Sequence, residues 1–338
     1  TLPTAAAYRS AVRQLQPETN RASQQAAQVS MGSVFSAVAG RVDSARGDAP
    51  VASQGGSGVA TGEAAARGRV WLQGLGAWGR QQARAGADGY DVSAYGMAAG
   101  METDLSAREV AGLTLGYTRA GTRGSDNASG NDVNVDAVHV GGYVGLDMDG
   151  WTLDGALMVG GNHYSSQRAI SFLGQTVSGS YNGWQVGARV EAGLPFALSQ
   201  RWSGRWLAGL RLSHLSNEGY TESGNAALAQ NVESSRANSV QPTLGVEFNR
   251  LSDNGDRLQL RARYLHELAG NPDVTASFVA GGPSFTTAST APNRDAVQLG
   301  VSYRFNGAQG SYGTLGYDAE VRDRSLMHQL TARVGWLF

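Results

Sequence analysis

The spacing of hydrophobic residues changes near residue 68 of this 338-residue chain. Upstream, runs of Ala, Gln, Ser, Val and Met are compatible with helix. Downstream, apolar and polar residues alternate, which is the period of β-strands with two unlike faces. Residues 258–264 are the clearest case, because Leu, Leu, Ala and Tyr share one face while Gln, Arg and Arg share the other. The pattern predicts a mainly β protein that follows an N-terminal helical region.

Twelve segments carry this alternation. They lie near residues 69–80, 90–103, 108–120, 132–147, 151–165, 178–193, 201–215, 236–249, 257–270, 293–305, 311–321 and 326–338. Several are longer than a usual strand of about five or six residues, and about ten tilted residues are needed to cross a bilayer. The alternation slips around Gly74 and Val138, which leaves the register of the first and fourth segments open.

The connections between these segments alternate between short and long. Short turns such as residues 147–150 and 252–256 alternate with long polar stretches such as residues 216–237 and 270–293. Outer-membrane barrels have short periplasmic turns and longer extracellular loops, whereas a soluble β-sandwich has no reason to sort its connections by length. The chain is therefore predicted to be an all-β membrane protein, a twelve-stranded antiparallel transmembrane β-barrel.

Two helices are predicted before the barrel. Thr4 caps a first run that ends at Leu15, Pro17 opens a second helix, and Gly40 stops it. A flexible, Gly-, Ala- and Ser-rich connection is predicted over residues 47–67. The sequence thus divides into residues 1–67, which contain an α-helix over about 17–40, and residues 68–338, which form the barrel.

The second helix has a weak apolar face, which suits either a poorly docked surface helix or a helix inside a polar lumen. Strands about 4.8 Å apart and tilted by about 40° give a twelve-strand barrel a bore of roughly 12 Å after side chains are subtracted. One α-helix, about 10–12 Å across, fills such a bore. Size and polarity together favour a helix that is threaded through the lumen and plugs it.

The charged positions of the strands fall opposite the apolar face. An Arg that faced lipid at mid-membrane would cost roughly 2–4 kcal/mol, so these charges are predicted to line the lumen. The residues in this group are Asp154, Arg189, Glu191, Arg205, Arg211, Glu247, Arg261, Arg263, Arg304, Asp318, Glu320 and Arg333.

Composition agrees with a barrel and narrows the partners. Charged residues make up 16% of the chain, well below the roughly 25% of soluble domains, and there are 47 Gly and no Cys. The net charge of −1 gives no basic surface for nucleic acid. We expect contacts with outer-membrane lipid, a monomeric state, and no nucleic-acid partner, metal or cofactor.

Known catalytic patterns are not found in the sequence. The five His residues occur in five different segments without metal-ligand spacing, so no catalytic residue is predicted. Two alternatives remain open. An outer-membrane phospholipase also has twelve strands, and His139 or His214 would be its candidate histidine. A passive porin-like channel shares the barrel but needs an open bore.

The C-terminal segment is the most specific motif of the chain. Alternate residues lead back from a terminal aromatic: Leu330, Ala332, Val334, Trp336 and Phe338. The chain combines a helix, a flexible connection and twelve amphipathic strands that end in this motif. In this order of elements it resembles the C-terminal translocator, or β-domain, of a monomeric (type Va) autotransporter. The terminal segment is similar to the signal that is read by the outer-membrane barrel assembly machinery.

The resemblance implies a function in type V secretion. It implies that the chain inserts in the outer membrane of a Gram-negative bacterium, with the assembly machinery and periplasmic chaperones as partners. It also implies that an N-terminal passenger polypeptide is displayed at the surface and that the helix plugs the pore behind it. Some relatives cleave their linker at an Asn, for which Asn20 is the candidate here, although its neighbour Arg21 is bulky.

Overall fold

The computed structural model describes residues 4–17, 21–47, 68–84, 87–106, 108–270, 273–288, 294–306 and 311–337. Within this part of the chain there are two α-helices, α1 Ala5–Gln14 and α2 Ala22–Gly47, and sixteen β-strands. The strands are β1 Gly68–Gln81, β2 Tyr90–Asp104, β3 Val110–Gly124, β4 Asp132–Asp147, β5 Thr152–Ile170, β6 Gln175–Ala197, β7 Trp202–Asn217, β8 Tyr220–Thr221, β9 Gln230–Val232, β10 Ser235–Leu251, β11 Arg257–His266, β12 Val274–Phe278, β13 Phe285–Thr287, β14 Asp295–Asn306, β15 Ser311–Arg322 and β16 Ser325–Leu337.

Twelve of the described strands close into one antiparallel barrel, in the order β1-β16-β15-β14-β11-β10-β7-β6-β5-β4-β3-β2. Each barrel strand pairs with the barrel strands that precede and follow it in the chain. The first strand, β1, also pairs with the last, β16, and so closes the barrel, for example with Gly74 opposite Ala332. The predicted twelve-stranded barrel with an N-terminal helix is confirmed. Closure leaves no unpaired sheet edge to meet hydrocarbon.

The four remaining strands form a separate sheet in the order β13-β12-β9-β8. They lie in the connections β7–β10 and β11–β14, which the sequence pattern assigned to loops. Because each is only two to five residues long, none is long enough to show a period of two. We call the barrel end that carries the long connections the loop end, and the opposite end the turn end.

The two faces of the barrel differ as the alternation requires. On β11, Leu260 and Tyr264 are exposed on the outside, whereas Gln259 and Arg263 are buried inside. The outer face also exposes Leu, Val and Met on the other strands, as expected of a surface that meets lipid. None of the helices in the described part of the chain is both long and apolar enough to span a membrane.

Helix α2 lies inside the barrel and packs against β1 to β5. The inner face of these strands is therefore apolar as well, with Trp71 and Leu75 on β1 and Val135 and Ala137 on β4 all buried. Because both faces are apolar there, the alternation slips in the first and fourth segments of the sequence. The registers that the sequence left open are antiparallel throughout, with Val138 opposite Gly161.

The helix bounds differ from those predicted. Thr4 does cap α1, since its hydroxyl accepts the backbone N–H of Ala7 at 3.1 Å. However, α2 begins at Ala22, after Arg21 with its positive φ of 62°, and it runs through Gly40 to Gly47. Gly40 lies inside the helix, where the absence of a side chain allows a close contact: a Cβ at this position would lie 2.8 Å from Nη2 of Arg333.

Several sequence-based expectations lie outside the described residues. These are most of the flexible connection over residues 47–67, the candidate cleavage residue Asn20, and the terminal Phe338 with the side chain of Trp336. The division into residues 1–67 and 68–338 stays a prediction, although β1 begins at Gly68.

Candidate functional site

Helix α2 runs along the barrel from the loop end to the turn end. Its first residue, Ala22, packs against Tyr90 and Val92 at the loop end, whereas Arg41 contacts Glu102, close to the short turn after β2. The helix has 26 residues, which at a rise of about 1.5 Å each gives roughly 39 Å. This length exceeds the roughly 30 Å of bilayer hydrocarbon, so α2 occupies the whole depth of the lumen.

Small residues on the wall form the seat of α2. A Cβ at Gly116 of β3 would lie 2.8 Å from Cγ2 of Val34, and a Cβ at Gly187 of β6 would lie 2.7 Å from Met31. Ala26, Ala27, Val34 and Ala37 of the helix are completely buried in this seat, each with 0% exposure. The backbone of the wall thus approaches the helix closely because these strand positions have no side chain in the way.

A buried polar network anchors the turn end of α2 to the wall. The guanidinium of Arg41 donates twice to the carboxylate of Glu102, once at 2.8 Å from Nε. Glu102 also accepts Nε of Arg69 and the hydroxyl of Tyr143, each at 2.8 Å. Tyr143 in turn accepts Nε1–H of Trp71 at 2.8 Å. All four lone-pair directions of this carboxylate are therefore used, which compensates for its burial.

Asp43 forms a second anchor, two residues further along the same helix. Nη2 of Arg205 lies 2.7 Å from its Oδ1, and Nη1 of Arg261 lies 3.5 Å from its Oδ2. Arg205 also contacts Glu247 at 3.2 Å and Asp154 at 3.9 Å. One helix carboxylate thus joins the charged groups of four barrel strands.

The C-terminal part of α2 is also held through its carbonyl groups. Arg333 donates to the carbonyl oxygens of Gly40 at 2.8 Å and Ala37 at 3.0 Å, and to Oγ of Ser44 at 3.1 Å. Arg304 donates to the carbonyl oxygen of Ser44 at 3.1 Å. Cations near the C-terminus of a helix interact favourably with its dipole, so these wall arginines favour this direction of the helix.

The remaining charged groups of the wall lie on the other side of the lumen. Glu191 accepts two bonds from Arg263, at 2.8 and 2.9 Å, and one from Arg189 at 3.2 Å. Arg211 donates to the amide oxygen of Gln298 at 2.8 Å. Arg261 contacts Asp318 at 3.3 Å, and Glu320 contacts Arg322 at 2.9 Å. A cavity of about 240 Å³ lies between this side of the wall and α2.

The predicted lumen charges therefore fall into two groups. Those that contact α2 directly are Arg205, Arg261, Arg304 and Arg333. Those whose ion pairs or hydrogen bonds are with other wall residues are Asp154, Arg189, Glu191, Arg211, Glu247, Arg263, Asp318 and Glu320. That all of them line a conduit for transport stays a prediction.

The sequence analysis missed Glu102 and Arg69 on the wall and Asp43 on the helix. Glu102 was detectable, because it lies four residues after Ala98 on β2 and therefore on the same, inward-facing side of the strand. Asp43 was missed because the predicted helix ended too early. In the terminal segment, Leu330 and Val334 are exposed on the outer face, and its role as a signal stays a prediction.

The loop end holds the chain upstream of α2. Nη1 of Arg168 donates to the carbonyl oxygen of Gln14 at 2.9 Å, while the rest of its guanidinium pairs with buried Glu222 at 2.6 Å. Nε2 of Gln230 donates to the carbonyl oxygen of Leu15 at 2.6 Å. Helix α1 thus docks on the long connections, outside the barrel.

The histidines do not form a catalytic group with one another. His139 is completely buried in the wall, and its Nε2 lies 3.3 Å from the hydroxyl of Thr118. His214 is on the outer face, where its Nδ1 lies 2.6 Å from the amide oxygen of Asn238. Across the described residues, no cluster of three His, Asp or Glu is arranged to hold a metal ion.

Comparisons with known proteins agree on the fold. The sequence model of the autotransporter beta-domain matches residues 70–318. The translocator domain of the autotransporter NalP from Neisseria meningitidis is similar with a TM-score of 0.66 and 18% identity, over 93% of this chain and 100% of that one. The beta domain of the Bordetella autotransporter BrkA gives a TM-score of 0.56 and 21% identity, over 80% of this chain and 100% of that one.

Curated relatives are much longer. Outer membrane protein B of Rickettsia japonica is 22% identical over 281 residues, which are 78% of this chain and 17% of that protein. An extracellular serine protease of Serratia marcescens is 25% identical over 179 residues, which are 52% of this chain and again 17% of that protein. The chain thus spans 17% of the length of the curated relatives that it matches.

Proposed function

Because this chain belongs to the autotransporter beta-domain family, we propose that it secretes an N-terminal passenger of its own polypeptide, and that α2 joins the passenger to the barrel and plugs the pore. The chain is a type V secretion translocator in the outer membrane of a Gram-negative bacterium. Translocator domains of this family are generally not catalytic, so any enzymatic activity would belong to the passenger.

The direction of α2 is the observation that carries this proposal. The helix enters at the loop end, where α1 docks on the long connections, and it leaves at the turn end beside Glu102. In an outer-membrane barrel the long loops are extracellular and the short turns periplasmic. A polypeptide that precedes α1 would therefore start outside the cell, as a translocated passenger must.

The anchors of α2 support a plug that stays in place after secretion. Glu102, Arg205, Arg261 and Arg333 of the wall all contact the last third of the helix. Breaking a buried ion pair by removing one partner costs roughly 3–5 kcal/mol, because the other charge is left without compensation. The same contacts therefore hold the helix against withdrawal toward either side.

Further partners follow from the location. We propose that the barrel assembly machinery and periplasmic chaperones deliver the chain, with the terminal segment as the signal. The outer apolar face contacts outer-membrane lipid, and the barrel works as a monomer.

Labelling of single cysteines tests the position of α2. The natural chain has no Cys, so Ala27→Cys and Ser33→Cys each introduce one thiol, at sites that are 0% and 4% exposed. We expect both to resist a membrane-impermeant thiol reagent in the folded protein and to react fully after unfolding. Ser171→Cys, at an exposed position in a long connection, is the control and should react at once. Fast reaction of Ala27→Cys in the folded state would place α2 outside the lumen.

Conductance separates a plugged translocator from a passive porin-like channel. In planar bilayers the complete chain should conduct weakly, because α2 fills most of the lumen. Deletion of residues 1–46 should raise the conductance several-fold. An equally large conductance with and without these residues would favour the porin-like alternative.

A further inference from the structure

The cavity beside α2 has an unusual distribution of charge. On the helix side it is lined by Arg21, directly before α2, and by neutral residues, among them Gln25, Gln28, Gly32 and Ser36. On the wall side it is lined by Arg189 and Arg211, and by Asp318 and Glu320, whose carboxylates pair with Arg261 and Arg322. Glu267 and Gly270, just beyond β11 at the loop end, also line it. The cavity therefore extends to the loop end of the barrel, from which water and small solutes can enter it.

Arg189 of β6 and Arg211 of β7 are direct cross-strand partners. Like charges that stand directly opposite each other on neighbouring strands repel, and such a pair destabilises a sheet. Inside the lumen the repulsion is stronger than at an exposed surface, because the surroundings screen it less. The pair therefore needs compensation from a negative group.

The protein supplies only part of this compensation. Arg189 shares the carboxylate of Glu191 with Arg263, which forms the two shorter bonds. Arg211 donates to the neutral amide oxygen of Gln298, and within the described residues no carboxylate oxygen lies within 4 Å of its guanidinium. A guanidinium has five N–H donors, so most donors of both side chains remain for the contents of the cavity.

The helix leaves room for such contents. A Cβ at Gly32 would meet no atom within 4 Å in the part of the chain that the structure describes. The carboxylate of Asp43 lies about three helical turns beyond Gly32 and is bound to Arg205 and Arg261. The cavity thus brings two partly compensated guanidinium groups together opposite an open helix face, whose described residues at the cavity include no carboxylate.

We propose that Arg189 and Arg211 form a binding site for a small oxyanion, such as inorganic phosphate, in the occupied lumen. Guanidinium groups bind oxyanions through charge-assisted and often bidentate hydrogen bonds. An oxyanion between the two side chains replaces their mutual repulsion by two attractions. The site rests on the proposed function in one respect, because α2 must occupy the lumen for the cavity to have its second wall.

Calorimetric titration of the complete chain in detergent micelles with inorganic phosphate, at constant ionic strength, tests the site. We expect saturable binding by the natural protein. R189Q and R211Q should each weaken it by roughly tenfold or more, because each removes charge-assisted hydrogen bonds. R123Q is the matched control, since the Arg123 side chain is 83% exposed, and it should bind phosphate as the natural protein does. Absence of saturable binding in the natural protein, or unchanged affinity in R211Q, overturns the proposal.

A second variant guards against loss of the fold in the arginine variants. Gly32→Glu keeps both arginines and extends a carboxylate into the cavity, where it competes for the site. It should keep heat-modifiable gel mobility, the mark of a folded barrel, and lose phosphate binding. A folded Gly32→Glu protein that binds phosphate normally also overturns the proposal.

The labelling of Ala27→Cys tells the two proposals apart. If that thiol is protected while the natural protein binds no phosphate, only the oxyanion site is wrong. If that thiol reacts quickly, α2 is not in the lumen and both proposals fall.

Discussion

Arg41 of the lumenal helix and Glu102 of the second barrel strand form an ion pair from which water is completely excluded, with 0% exposure of both side chains. Two charges in such a place are expensive unless each is paired and hydrogen-bonded. Here Arg69 and Tyr143 complete the shell of the carboxylate. The pair joins a segment that precedes the barrel to the barrel itself, so it couples the position of the plug to the stability of the wall.

Glu102→Gln should destabilise the folded protein markedly. The substitution removes the carboxylate that faces the buried charge of Arg41, at a cost of roughly 3–5 kcal/mol, whereas Arg69 keeps its ion pair with Asp104. The midpoint of denaturant unfolding in micelles measures this cost. Asp91→Asn is the control, since it removes the partner of Arg80 in a pair whose side chains are 49% and 70% exposed, and it should change little. Equal effects of the two substitutions would contradict the assignment of Arg41–Glu102 as an anchor.

Replacing two glycines of α2 should have opposite outcomes. Gly32→Ala adds a methyl group in open space and should stabilise the protein by about 1 kcal/mol, because Ala favours helix over Gly. Gly40→Ala brings the same gain in helix propensity but places its Cβ 2.8 Å from Nη2 of Arg333, a group held by several hydrogen bonds. We expect Gly40→Ala to be less stable than Gly32→Ala in the same unfolding experiment. Equal gains would show that Arg333 can move without cost.

The turn between β10 and β11 should make stability depend on pH. Asp256 accepts the hydroxyl of Tyr303 at 2.7 Å and the backbone N–H of Asn306 at 3.1 Å, and these bonds lower the pKa of its carboxyl group. A lowered pKa in the folded state means that the carboxylate stabilises the fold above the ordinary Asp pKa of about 3.9. The contribution is lost as the pH falls from that value through the lower pKa of the folded state.

Asp256→Asn should therefore lower the unfolding midpoint at pH 7, and the difference from the natural protein should shrink at pH values below about 4. Asp253→Asn is the control in the same turn, because the Asp253 side chain is 80% exposed. A difference between Asp256→Asn and the natural protein that is constant between pH 7 and pH 2.5 would show that this carboxyl group is not linked to folding.

The terminal aromatic should matter for assembly. Deletion of Phe338, or its replacement by Asp, should reduce the amount of folded protein in the outer membrane, because the segment that we propose as the assembly signal loses its last apolar side chain. The measurement is the heat-modifiable fraction in isolated membranes, with Asp323→Ala, at an exposed position between β15 and β16, as the control. Normal amounts of folded protein after both changes at Phe338 would end the interpretation of this segment as a signal.

Local chemistry made the barrel predictable. A strand presents alternate residues to opposite faces, so the lipid-facing and lumen-facing sets can be read from any single segment such as residues 257–266. The length of the connections is equally local, and it assigns each end of the barrel to a side of the membrane. The sequence itself thus determined the fold class and the number of barrel strands, and it predicts the orientation.

Contacts across the lumen depended on closure of the barrel. Arg205 meets Asp43 over a separation of 162 residues, and no local pattern records which wall residue faces which turn of the helix. The same applies to the position of α2 in the lumen. The helix packs against β1 to β5 and lies close to Gly116 and Gly187. The apolar inner residues that it contacts on β1 and β4 obscure the alternation in those two strands. The stagger of strands around a closed barrel sets these distances, so only the tertiary structure decided where the helix packs, which charges anchor it and which remain beside the cavity.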